Sequence, residues 1–215
     1  PPHVLCAVPG NAYCQHPVAL SEHVEAQRGE ESLNRVPVER YAEQMFDAGQ
    51  AQIDYEGLER LIEFQITSGI QGVLAVGTTG ESPTLDWEEH NQMVERTCRQ
   101  AQGPCLAIAG TGSNSTRETL QGTEHAAHAG ADVALLVDPY YNGPSSVEIR
   151  REYYAPVAKA FPEIGILPYI IPGRSGAMMH PEDLALLAAE FANVSAVKEA
   201  TGDYANMAKT RRLCG

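Results

Sequence analysis

The chain has 215 residues, of which 43% are hydrophobic and 20% are charged. This composition suits one large globular domain better than two small ones. The formal net charge of −13 at pH 7 argues against nucleic acids and anionic membranes as partners. No apolar run approaches the roughly 18 residues of a membrane-spanning helix.

The five cysteines are odd in number and form no C-x-x-C pair, which is typical of a reduced cytoplasmic protein. Four potential metal ligands lie near the N-terminus: Cys6, Cys14, His16 and His23. Their spacing fits no compact zinc site. The sequence therefore predicts neither a metal nor a disulfide framework.

The N-terminal region differs from the rest of the chain. A short strand is predicted over residues 3–8, whereas residues 16–50 are rich in Glu, Gln, Ala and Arg and contain no convincing strand. We therefore divide the chain into an atypical segment over residues 1–51, irregular or helical, and a catalytic domain over residues 52–215.

From residue 53 onward, helices and strands alternate. Asp54 is placed to cap a helix that ends at Gly69, and Asp86 and Glu89 have the spacing of a capping box for the next helix. The first helix has an apolar stripe made of Leu58, Leu61, Ile62 and Ile66. Further helices are predicted over residues 116–129, from 145 or 146 to 161, over 181–191 and from about 203 onward.

Five short apolar strands separate these helices, over residues 72–76, 105–109, 133–137, 164–169 and 194–198. Their ends recur about every 30 residues, the length of a strand–helix unit. The alternation predicts an α/β fold with a parallel sheet, which is either open or closed as a (β/α)₈ barrel. Nearly every loop that follows a strand carries hydroxyls, glycines or a charge. A site shared among five such loops favours the barrel.

Lys198 ends a strand that otherwise contains Val, Ser and Ala. Burial there disfavours the ammonium form, so that a neutral amine could attack a carbonyl carbon. Alternatively, the lysine pairs with a carboxylate at the barrel rim. Tyr169 ends the preceding strand and is either a proton donor and acceptor beside Lys198 or a core aromatic residue.

Two further loops offer groups that bind anions. Thr78 and Thr79 lie between glycines, whose backbone N–H groups can converge on a carboxylate or simply form a tight turn. Arg174 lies in a Pro-Gly-Arg-Ser-Gly turn, where it either binds a substrate carboxylate or is solvated.

Four loop segments together resemble the dihydrodipicolinate synthase family, also called 4-hydroxy-tetrahydrodipicolinate synthases, of the pyruvate-dependent class I aldolase superfamily. They are Gly-Thr-Thr-Gly-Glu-Ser at 77–82, Pro-Tyr-Tyr-Asn at 139–142, residues 169–176 and Val-Lys-Glu-Ala-Thr-Gly at 197–202. The resemblance covers about residues 52–215. It implies a (β/α)₈ barrel lyase of lysine and diaminopimelate biosynthesis that needs no cofactor.

The resemblance also implies roles for individual residues. Lys198 would form a Schiff base with pyruvate, and Tyr169 would act as general acid and base. Thr79 would relay protons together with Tyr141, which in this family reaches the site of a neighbouring subunit. Thr78 and Thr79 would bind the pyruvate carboxylate. Arg174 would hold the carboxylate of the second substrate, L-aspartate 4-semialdehyde.

A lysine feedback site at a dimer interface is a further implication of the resemblance. The matching residues are Ser82, His90, Asn114, Glu118 and Tyr140, and L-lysine would be the inhibitor. The family also implies a cytoplasmic homo-oligomer arranged as a dimer of dimers.

The sequence departs from the family pattern in three places. No convincing strand precedes Asp54, Ile170 replaces the asparagine that usually follows the tyrosine, and the last two barrel strands are missing. An incomplete barrel of about five strands is therefore expected. Two alternatives stay open. One is a sister enzyme, an N-acetylneuraminate lyase or a 2-keto-3-deoxy sugar-acid aldolase. The other is a truncated, non-catalytic homologue that acts only as an interaction partner.

Overall fold

The computed structural model describes residues 4–7, 46–47 and 52–214. Its main sheet contains five parallel strands that are neighbours in chain order. They are β4 (Gly72–Ala75), β5 (Leu106–Gly110), β6 (Val133–Val137), β7 (Gly165–Ile170) and β8 (Ala196–Glu199). The five predicted strands are confirmed, with ends shifted by at most two residues.

Three further strands precede these five in the sequence. Strand β1 (Val4–Ala7) pairs antiparallel with β8, with Leu5 opposite Lys198. It confirms the short strand predicted near the N-terminus. Strands β2 (Phe46–Asp47) and β3 (Gln52–Ile53) form a separate antiparallel pair. The prediction that residues 16–50 hold no strand is therefore wrong at Phe46–Asp47, because so short a strand has too few residues to show a period.

Seven α-helices precede, connect or follow these strands within the described residues. They are α1 (Tyr55–Thr67), α2 (Trp87–Ala101), α3 (Thr116–His128), α4 (Ser146–Glu148, Ile149–Tyr154 and Ala155–Ala160 in succession), α5 (Pro172–Ser175), α6 (Pro181–Glu190) and α7 (Tyr204–Cys214). The middle part of α4 is a π-helical segment, which the sequence pattern did not predict. Within residues 52–214, no helix is long and apolar enough to cross a membrane.

The predicted capping residues begin their helices. The Asp54 carboxylate accepts the Gly57 N–H at 2.8 Å, and Asp86 and Glu89 form a reciprocal capping box. Each cap satisfies N–H groups that the first helical turn leaves without a partner. One detail of the α1 prediction is wrong: Leu61 is 47% exposed, while Ile62 is buried.

Side chains on the two faces of the sheet have different surroundings. Leu136, Ile166 and Ile170 pack outward against the helices, whereas Leu135, Leu167 and Tyr169 form a cluster on the opposite, inner face. Successive strand residues point to opposite faces, so the sheet is covered on the outside and faces a barrel interior on the inside.

Glycines let the strand ends approach one another closely. A Cβ atom at Gly110 would lie 2.5 Å from the Val76 carbonyl oxygen, and one at Gly112 would lie 2.5 Å from the Val137 nitrogen. Neither backbone contact can relax by a side-chain rotation. The Gly-x-Gly segment at the end of β5 therefore serves backbone packing.

Candidate active site

A cleft of about 550 Å³ opens at the carboxyl ends of the parallel strands. Residues from four successive strand–loop junctions line it, including Val76 and Thr78 after β4, Gly112 after β5, Val137 at the end of β6, and Tyr169 and Arg174 at and after the end of β7. This is the edge of a parallel α/β sheet at which ligands bind. The prediction that five such loops share one site is confirmed for four of them, whereas no residue of the loop after β8 lines the cleft.

Lys198 and Tyr169 are adjacent across the β7–β8 pair. Their Cα atoms are partners in the sheet register, and the Lys198 Nζ lies 4.2 Å from the centroid of the Tyr169 ring. Lys198 is 2% exposed and Tyr169 is 3% exposed. Tyr169 lines the cleft, and the buried amine lies beside its ring.

The two threonines after β4 differ in position. Thr78 lines the cleft, whereas Thr79 is exposed. Val76 begins this turn with a φ of 46°, a left-handed conformation that a β-branched residue rarely adopts. The strained turn directs the backbone of Gly77 and Thr78 toward the cleft.

Arg174 belongs to the short helix α5 and lines the same cleft as Thr78. Pro172 opens this helix, and Gly176 ends it in the left-handed conformation with a φ of 68°. The Tyr141 N–H donates to the Ser175 carbonyl at 3.3 Å. The loop after β6 and the loop after β7 are thus joined beside the arginine.

Two consecutive tyrosines follow β6 and point to different places. Tyr140 lines the cleft, whereas Tyr141 is 90% exposed and has a φ of 75°. Tyr141 is therefore not brought to Tyr169 within this chain.

At its far end the cleft is lined by four of the five residues predicted to bind lysine: Ser82, His90, Glu118 and Tyr140. Asn114 is exposed and does not line it. His90 Nε2 lies 2.9 Å from the Gly110 carbonyl oxygen, so the ring nitrogen must donate. Burial lowers the pKa of His90 below its usual value, which favours the neutral ring.

Metal ligation finds no support in the described ranges, where no three His, Cys, Asp or Glu side chains come together around one point. Cys14, His16 and His23, considered as ligands from their sequence, lie outside the described residues.

Comparison with known proteins identifies the family of this chain. Residues 44–215 match the model of the dihydrodipicolinate synthetase family. The chain belongs to this family. The 4-hydroxy-tetrahydrodipicolinate synthase of Geotalea daltonii is 48% identical over 163 residues, which are 76% of this chain and 55% of that protein. The chain spans little more than half the length of the curated relatives that it matches.

Solved structures of synthases in the family have the same fold as this chain. One is the chloride-inhibited dihydrodipicolinate synthase of Acinetobacter baumannii in complex with pyruvate, with a TM-score of 0.70, 41% identity and coverage of 75% of this chain and 55% of that one. Another is the enzyme of Cyanidioschyzon merolae with lysine bound, with a TM-score of 0.76, 35% identity and coverage of 80% and 58%. The five parallel strands thus form part of a (β/α)₈ barrel.

Sequence reasoning missed one buried acid beside this family's tyrosine motif. Asp138 directly precedes Pro139 and is 0% exposed. Its carboxylate accepts the Tyr154 hydroxyl at 2.7 Å and the Met179 N–H at 2.9 Å. Burial raises the pKa of Asp138 to about 6. The only sequence signal was a charged residue at the end of an apolar strand, the same signal that drew attention to Lys198.

Proposed function

We propose that this chain carries the Schiff-base centre of a lyase that condenses pyruvate with L-aspartate 4-semialdehyde, the 4-hydroxy-tetrahydrodipicolinate synthase reaction of lysine and diaminopimelate biosynthesis. The observation that carries the proposal is the contact between Lys198 and Tyr169. A fully buried amine lies 4.2 Å from the ring of a tyrosine that lines the cleft. Relatives with this reaction in their name support the choice of substrates.

The first half of the reaction takes place at Lys198. Its amine adds to the C2 carbonyl of pyruvate, and a proton passes from the nitrogen to the carbonyl oxygen to give a carbinolamine. A second proton lets this oxygen leave as water, and the nitrogen lone pair forms the imine. Tyr169, beside the amine, is the group that we assign to donate and accept these protons.

The second half forms the carbon–carbon bond. Loss of a proton from C3 converts the imine to an enamine, whose C3 attacks the aldehyde carbon of the semialdehyde. The aldehyde oxygen becomes a hydroxyl by taking up a proton. The amino group of the semialdehyde then attacks the imine carbon, which closes the ring and expels the Lys198 amine.

The remaining site residues bind the substrates or relay protons in this scheme. Thr78 and Thr79 bind the pyruvate carboxylate from the turn after β4, and Arg174 binds the semialdehyde carboxylate across the cleft because its fork of donors suits a carboxylate. Thr79 and Tyr141 relay protons. The 90% exposure of Tyr141 fits a residue that completes the site of another copy, in a homo-oligomer arranged as a dimer of dimers.

L-Lysine is the proposed inhibitor. Ser82, His90, Glu118 and Tyr140 face the far end of the cleft, and Asn114 would close the site from its exposed position. An acidic side chain beside neutral donors suits an amino acid, and the relative from Cyanidioschyzon merolae holds lysine. Within residues 52–214, Cys98, Cys105 and Cys214 are free thiols, which fits a cytoplasmic enzyme.

Trapping with borohydride tests the proposal. Incubation of the chain with pyruvate and borohydride should give a stable adduct on Lys198, located by mass spectrometry of peptides. Tyr169→Phe should slow adduct formation, because the proton donor for water loss is gone. Comparison of turnover with the semialdehyde and with sugar acids separates this function from the sister aldolases. A folded sample that forms no adduct would instead support a non-catalytic homologue.

A further inference from the structure

The loop that carries Arg174 is held at its far end by a buried carboxylate. This loop follows β7 and ends at Met179, two residues before helix α6 begins. The Met179 N–H donates to the Asp138 carboxylate at 2.9 Å. Met179 is itself 0% exposed, so water cannot replace this acceptor.

Asp138 is fixed from behind as well as from the loop. Tyr154 donates its hydroxyl to the Asp138 carboxylate at 2.7 Å and lies 2.9 Å from the Leu136 carbonyl oxygen. Tyr154 belongs to the π-helical segment of α4. That segment turns both Tyr153 and Tyr154 into the core, with their rings 5.0 Å apart.

The same carboxylate therefore connects three elements. The Asp138 N–H donates to the Tyr169 carbonyl at 3.1 Å, its side chain reaches Met179, and its other oxygen reaches α4. Val137, one residue earlier, lines the cleft. Because neighbouring residues of a strand point to opposite faces, Asp138 stands behind the site and does not touch the cleft.

We propose that Asp138 is a positioning residue that fixes the Arg174 loop against the end of β6 and so determines where the second substrate's carboxylate is bound. The part of this inference that concerns substrate rests on the proposed function. The part that concerns the loop rests only on the two hydrogen bonds to the carboxylate.

Two variants separate the loss of the anchor from the loss of charge. Asp138→Ala removes both acceptors, leaving the Met179 N–H and the Tyr154 hydroxyl without their partner. Asp138→Asn keeps an acceptor oxygen for Met179 and presents an N–H group to Tyr154, which can still donate to the Leu136 carbonyl. The Asp138→Asn variant also remains informative if the alanine variant does not fold.

Amide hydrogen exchange tests the anchor without reference to catalysis. Residues 171–180 should exchange at least about tenfold faster in Asp138→Ala and within about threefold of the parent in Asp138→Asn. The amide exchange of helix α2, near the opposite edge of the sheet, should be unchanged. No acceleration in a folded Asp138→Ala, or the same large acceleration in both variants, overturns the anchor.

A second readout tests the consequence for substrate. With Asp138→Ala, the concentration of L-aspartate 4-semialdehyde needed for half-maximal consumption of the unreduced pyruvate enamine should rise about tenfold. Formation of the pyruvate adduct at Lys198 should change less than about twofold. Equal losses for both substrates overturn the assignment to the Arg174 loop. A parent chain that forms no adduct refutes the proposed function, whereas the exchange experiment still decides the anchor.

Discussion

The carboxyl ends of β6, β7 and β8 carry inward and outward side chains that serve different purposes. Tyr169 and Lys198 point to the inner face, where the Lys198 Nζ lies 4.2 Å from the centroid of the Tyr169 ring. Asp138 and Glu199 are equally buried, but their partners are loop and helix groups: Met179 and Tyr154 for the first, and the Thr201 N–H and Asn206 side chain for the second. In the proposed mechanism the inner residues supply the chemistry, and the outer acids bond to the loop and helix groups around it.

Replacing the inner lysine should have the largest effect. Lys198→Met removes the only lysine that lies in a strand of the sheet, since Lys159 and Lys209 belong to helices, so the pyruvate adduct should disappear altogether. Methionine fills a similar volume with a flexible side chain, so the melting temperature should stay within a few degrees of the parent. Adduct formation by mass spectrometry and thermal unfolding by circular dichroism provide the two measurements.

The glycine at the close approach between strand ends should not tolerate a Cβ atom. Gly110→Ala places a Cβ 2.5 Å from the Val76 carbonyl oxygen and should lower the free energy of unfolding by about 3 kcal/mol, since backbone must move. Gly173→Ala is the matched control, because a Cβ there meets nothing within 4 Å. Urea unfolding of both variants distinguishes crowding from a general intolerance of alanine, and equal stabilities would contradict the close approach.

Among the outer acids, Asp138 should make stability depend on pH. Burial raises the folded-state pKa of Asp138 to about 6 from an unfolded value near 3.8, so its ionisation destabilises the fold. The penalty is absent below the unfolded pKa, grows as pH rises through this window and levels off above about pH 6, where it reaches about 3 kcal/mol.

Asp138→Asn should abolish that dependence. Between about pH 4.5 and about pH 7.5, the parent should lose about 2 kcal/mol relative to the asparagine variant in urea unfolding. Parallel pH profiles for the two proteins would show that the carboxyl titrates as it does in the unfolded chain, contrary to its burial.

The partner of Asp138 should give the smallest effect. Tyr154→Phe removes the hydroxyl that donates to the Asp138 carboxylate, which should cost about 1–3 kcal/mol. Tyr153→Phe is the control, because its hydroxyl bonds to the Thr119 side chain, at a longer distance of 3.3 Å, and to the Ser113 backbone rather than to a buried carboxylate. If the two variants lose equal stability in thermal unfolding, the Tyr154–Asp138 hydrogen bond contributes no more to stability than the contacts of the Tyr153 hydroxyl.

The contrast between the two faces also explains what the sequence could predict. The strands and the caps at Asp54 and Asp86 follow from apolar runs and local spacing, because they depend on neighbours in the chain. Tyr169 could be placed beside Lys198 because both end neighbouring strands. The π-helical segment and the Asp138–Met179 bond could not be foreseen, since the bond joins residues 41 positions apart and depends on the direction of each side chain.

The position of Thr79 and Tyr141 depends on more than the chain's own fold. Both residues are exposed, and no local pattern fixes what covers them. The prediction of their role came from family motifs and stays a prediction. Leu61 shows the same limit at a smaller scale: helical spacing placed it with Ile62, yet packing buries only the latter.

Reductive trapping of pyruvate tests the central claim most directly, and the sequence supplies internal controls. Only three lysines occur in the chain, Lys159, Lys198 and Lys209; Lys159 is exposed and Lys209 is paired with Glu182. Peptide mapping after treatment with pyruvate and borohydride should find the adduct on Lys198 alone. A folded chain with no adduct, or with adducts spread over Lys159 and Lys209, would contradict a Schiff-base site at the end of β8.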